Sequence, residues 1–67
     1  MIVTINNLAV SKLLLVWTGV SGVSQYLVQY RFNSGNWVNE VVFRTDFEIL
    51  DTDVGLYEFR VFLLMLH

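Results

Sequence analysis

From Gln25 to Phe32 the sequence changes character at every residue. Tyr26, Val28, Tyr30 and Phe32 fall on one side of the alternation, and Gln25, Leu27, Gln29 and Arg31 on the other. Successive side chains of a strand point to opposite faces, so a period of two places one set in a core and the other toward water. A helix would need its apolar residues three and four apart. The same period returns at 56–66. There Tyr57, Phe59, Val61, Leu63 and Met65 share a face, and Glu58, Arg60, Phe62, Leu64 and Leu66 share the other. That second face begins polar and ends apolar.

Turn residues divide the rest of the chain in the same way. Proline is absent, so glycine and asparagine supply the punctuation at "NN" (6–7), "GVSG" (19–22), "NSGN" (33–36) and "DTDVG" (51–55). Between these stretches lie short runs rich in Val, Leu, Phe, Tyr and Trp, the pattern of an all-β sandwich or barrel. Six runs are expected, at 2–10, 12–18, 25–32, 36–44, 46–50 and 56–66. The second sends Leu13, Leu15 and Trp17 inward, with Leu14 and Val16 on its outer face. The fifth sends Phe47 and Ile49 inward. "RFNSGNW" (31–37) reads as a hairpin connection, because Asn and Gly tolerate positive φ. The expected core is Leu15, Trp17, Tyr26, Val28, Tyr30, Phe47, Ile49, Tyr57, Phe59 and Val61. Trp37 follows a turn and has two readings, a ring stacked on the outer face or a partner contact.

At 67 residues the chain is a single domain, 1–67. A domain of this size buries only roughly 60% of the surface its unfolded chain exposes. Hydrophobic residues make up 55% and charged residues 15%, against about 25% charged in an average domain. So little charge leaves apolar surface for a partner. A net charge of −2 with four basic residues argues against nucleic acid. No apolar run reaches the roughly 18 residues of a transmembrane helix.

The residues of catalysis are not assembled. Cysteine is absent and His67 is the one histidine, which leaves no Cys/His zinc set within a chain. Ser21 and Ser24 have no histidine near them in sequence, and no glycine-rich phosphate loop occurs. Asp46, Glu48, Asp51 and Asp53 cluster in sequence. They read as a solvated acidic stretch, with an oxygen-ligated calcium ion as the alternative. No enzyme activity and no cofactor are expected.

Three features in order resemble a fibronectin type III domain. They are a Trp on the second strand in "LLLVWTGVSG" (Trp17), an aromatic third strand in "YLVQYR" (26–31), and a Tyr-x-x-Arg-Val pattern in "YEFRV" (57–61). The likeness covers roughly residues 8–62. It implies a fibronectin type III-like, immunoglobulin-like β-sandwich with Trp17 between the sheets. It also implies Tyr57 as a corner tyrosine, its hydroxyl bonded to backbone near 51–54. The chain departs from the family in lacking the Leu and Pro of the loop before the Tyr, and in lacking an Arg-Gly-Asp tripeptide. Modules of this kind occur in phage tail proteins, so the resemblance implies a virion or other extracellular setting.

The family has seven strands, and residues 2–66 supply six, with the last strand missing. The sixth strand is then expected to present an open edge, and an open hydrophobic edge invites pairing. Residues 58–66 are expected to pair with a strand from another copy, most directly its residues 1–10. The expected interface is Ile2, Val3, Ile5, Phe62, Leu64 and Leu66. The chain is thus read as a structural, self-assembling homo-oligomer, in fibre or closed form. The alternative is a binding or adhesion module, a truncated fragment of a larger phage tail or extracellular protein.

Overall fold

The computed structural model describes residues 1–9 and 11–64. They form six strands and no helix: β1 (Ile2–Asn7), β2 (Ser11–Val16), β3 (Gln25–Phe32), β4 (Val38–Val42), β5 (Asp46–Thr52) and β6 (Gly55–Leu64). All pairings are antiparallel. One sheet has the order β1-β6-β3-β4 and the other is the pair β2-β5. The chain is therefore all-β, built of two sheets.

The core lies where period-two faces meet. Leu15, Tyr26, Val28, Tyr57, Phe59 and Val61 are buried, and Trp17, Tyr30, Phe47 and Ile49 are half-buried against them. Aromatic rings fill much of the space: Tyr30 lies 5.4 Å from Phe47 across the sheets, and Tyr57 lies 4.9 Å from Phe32. Trp17 meets Tyr26 edge-on at 5.6 Å. It sits just past the end of β2, half-buried against the core, with its indole Nε1 buried and without a hydrogen-bond partner.

The structure corrects the expected open edge beside β6. β1 of the same chain occupies that place, in register from Ile2 opposite Arg60 to Asn7 opposite Gly55. The ladder extends one step further, where Val61 N–H donates to the Met1 carbonyl at 3.0 Å. The physical reason is proximity. A strand tethered in its own chain competes at an effective concentration near millimolar, which a separate copy must exceed. The place beside β6 is thus filled by the first strand. Leu66 and Met65 lie outside the described residues.

Two local irregularities set the faces. Ser11 opposes Thr52 and Leu13 opposes Ile49, so Lys12 faces both Leu50 and Asp51 in a β-bulge. Asp51 takes φ 55°, and the extra residue turns Thr52 inward, where it is 1% exposed. At 31–37 the turn is type I′ in form. Asn33 and Ser34 have φ 48° and 59°, and Gly35 N–H donates to the Phe32 carbonyl at 2.9 Å.

Tyr57 is buried, yet its hydroxyl makes no bond to residues 51–54, so it is not a corner tyrosine. The Asp53 carbonyl is taken instead by Asn7 Nδ2, at 2.7 Å. The tyrosine hydroxyl that does meet backbone is that of Tyr26, which accepts from Val20 N–H at 3.0 Å.

Candidate functional site

No cavity opens among the described residues, so the candidate sites are surfaces. The first is the outer face of the four-stranded sheet, which divides into two halves. In the polar half Arg31 opposes Glu58, and its Nε and Nη2 donate to the two carboxylate oxygens at 2.8 and 3.2 Å. This bond is the main cause that holds the Glu58 carboxyl below its ordinary pKa; burial opposes it less strongly, and the charges of Arg31 and Arg60 add still smaller lowering effects. The Trp37 ring lies 4.5 Å from the Arg31 guanidinium carbon and 3.7 Å from that of Arg60. Of its two sequence readings, Trp37 thus takes the stacked one, held by cation–π contacts, while the Arg60 Nε beneath it is buried without a hydrogen-bond partner.

The apolar half is not covered in this way. Leu27 opposes Phe62 on one side and Val41 on the other. Phe62 and Val41 are exposed, and Phe43, just past β4, is 72% exposed. Leu64, opposite Gln25, is half-buried. One run of side chains therefore carries an apolar patch across three strands.

The second candidate is the set of sheet edges. β4 carries Glu40, and Arg44 follows it. β5 carries Asp46, Glu48 and Asp51 and is broken by the bulge. Charge and bulges are the ordinary protection of an edge. β2 has one charge, Lys12, and β1 has none: its sequence is IVTINN, without proline or bulge. The direction of its free backbone groups follows from the ladder. Met1 and Val61 exchange two bonds, at 3.0 and 3.3 Å. In an antiparallel pair such residues alternate with ones that point away. Val3, Ile5 and Asn7 therefore face β6, while Ile2, Thr4 and Asn6 direct N–H and C=O to the open edge. Of the expected interface residues, Ile2 is exposed at 78% on the outer face, and Val3 and Ile5 are half-buried on the inner face.

The acidic residues do not converge. Asp46 pairs with Arg44 at 2.7 Å, and among the described residues no three acidic or histidine side chains lie close enough to share a metal ion.

A buried polar cluster was missed by the sequence reading. Asn7 Nδ2 donates to Thr52 Oγ1 at 3.1 Å, and Thr52 Oγ1 donates to the Ser11 carbonyl at 2.8 Å. This cluster ties the end of β1 to β2 and β5. Its signal was the parity of β1, because Asn7 shares a face with Val3 and Ile5, and an inward amide needs partners. Asn33 is more than a turn residue. It also starts β6, accepting from Leu56 N–H at 2.8 Å through Oδ1 and donating to the Leu56 carbonyl at 2.7 Å.

Compared with protein-family models, with curated proteins and with solved structures, the chain has no match.

Proposed function

We propose that this chain is a non-catalytic structural module, a fibronectin type III-like sandwich that assembles with further copies of itself by pairing strands at an open sheet edge. The observation that carries this reading is the bare edge of β1, with no charge, proline or bulge. The resemblance in Trp17, residues 26–31 and residues 57–61 supports the fold family, with β1 standing where the family's seventh strand would pair. The virion or extracellular setting rests on that resemblance alone. Native mass measured over a wide concentration range tests the proposal. Discrete species heavier than one chain are expected, and a monomer at every concentration overturns it.

A second reading, a binding module, is favoured by the patch of Leu27, Val41, Phe43 and Phe62. It predicts a stable monomer whose exposed face is filled by a different protein, so the same measurement separates the two.

A further inference from the structure

We infer that the strand received by the β1 edge is β1 of a second copy, running antiparallel about a two-fold axis at Thr4. This rests on the self-assembly reading above and specifies its partner and register.

The inference follows from the direction of the free groups. Each copy offers the N–H and C=O of Ile2, Thr4 and Asn6 at the edge. In a two-fold antiparallel pair, residue i meets residue n − i, and the free groups must meet one another. With n equal to 8, Ile2 meets Asn6 of the second copy, Thr4 meets Thr4, and Asn6 meets Ile2. All three residues of each copy are then bonded. A shift of two residues either way leaves one of the three without its counterpart.

The side chains agree with that register. Val3 meets Ile5 of the second copy and Ile5 meets Val3, in the pairs where side chains approach most closely. Both are half-buried in one copy, and this pairing covers them further. Thr4 opposes Thr4 on the other face, a pairing that stabilises sheets. No charge opposes a like charge, because the strand has none.

The two protected edges do not allow the same thing. Self-pairing of β4 along its length is centred on Glu40 and sets one carboxylate against the other. On β5 the bulge at Leu50 and Asp51 interrupts a continuous ladder. The result for β1 is a closed dimer with one eight-stranded sheet, because a two-fold contact is isologous and leaves neither β1 edge open.

The test uses the full chain and two readouts. Amide exchange of the wild type should show Ile2, Thr4 and Asn6 fast at low concentration and protected at high concentration, in step with dimer mass. Thr4→Pro removes an N–H that points away from β6, so the monomer keeps its ladder while the dimer loses two bonds. The dissociation constant should rise roughly tenfold or more. Thr4→Lys, at an exposed side chain, places like charges at the axis and should weaken the dimer in the same direction should the proline variant fail to fold. Asn39→Lys on the β4 edge should leave the dimer unchanged. If the wild type assembles but the folded Thr4 variants keep its mass, or if the protected amides lie on another strand, this inference falls while self-assembly stands. A wild type that stays monomeric overturns both.

Discussion

The strands β1 and β2, joined through residues 8–10, differ from β4 and β5, joined through 43–45, in how their edges meet water. β4 and β5 carry Glu40, Asp46, Glu48 and Asp51, with Arg44 between them and a bulge at Leu50 and Asp51. β1 and β2 carry one charge, Lys12, and their only irregularity is on the β5 side of the pair. The composition is uniform enough that this contrast is not simple scarcity of charge. The few carboxylates are concentrated where they guard an edge. An edge strand without such protection is either a liability or an interface, and β1 combines that bareness with a register in which it complements itself.

The largest expected effect falls on both regions at once. Phe59 is 1% exposed and stands at the centre of the four-stranded sheet. Phe59→Ala should cost about 3–5 kcal/mol, comparable to the whole stability of a small domain. Denaturant unfolding should lose its cooperative transition. If instead β4 and β5 melted while β1 and β2 kept their amide protection, the two regions would be separate units.

Thr52→Val tests the link between them. The isosteric change leaves Asn7 and the Ser11 carbonyl short of a partner in a buried place, at a cost of about 1–3 kcal/mol. Exchange should rise at the end of β1 and the start of β2 more than along β4. An unfolding midpoint equal to that of the wild type would show that the cluster does not hold β1 in place.

Asp51→Gly acts on the protected side alone. With φ at 55°, Asp51 occupies a conformation that costs most L-residues energy. Glycine there should stabilise by up to about 1 kcal/mol and leave assembly unchanged. A change in oligomer mass would mean that the bulge takes part in an interface.

The smallest effect is that of pH on the polar outer face. Because Glu58 has a lowered pKa in the folded state, its charged form favours folding. That contribution is complete above the unfolded carboxylate pKa and is lost as pH falls through the lower folded value. The pair is partly exposed, so the gain is small. Glu58→Gln should unfold slightly more easily than the wild type at neutral pH and match it in acid. A gap that persists in acid would point to packing under Trp37 as its cause.

Much of this architecture was legible in the chain. The inward positions of Tyr26, Val28, Phe59 and Val61 follow from alternation, which covalent geometry imposes on any strand. The turn at 31–37 follows from the tolerance of Asn for positive φ, although Ser34 and not Gly35 took the second such position. The inward place of Asn7 follows from its parity with Val3 and Ile5, although it stands in the turn signal at 6–7.

Other features depended on which strands met. Backbone N–H and C=O groups are the same at every residue, so nothing local told β6 whether its neighbour would be another copy or β1 of its own chain. In the assembled sheet β1 takes that place with Val3 and Ile5 turned inward against the core. The bulge at Leu50 and Asp51 arises where Thr52 must turn inward to meet Asn7 and Ser11, a demand visible only across three strands. Tyr57 makes no bond to the backbone at 51–54, where the Asp53 carbonyl accepts from Asn7, forty-six residues away in sequence. The sequence by itself determined which side chains share a face, because that is a property of consecutive residues. The tertiary structure alone decided which edges were filled and which were left open, because strand pairing joins groups that sequence distance keeps apart.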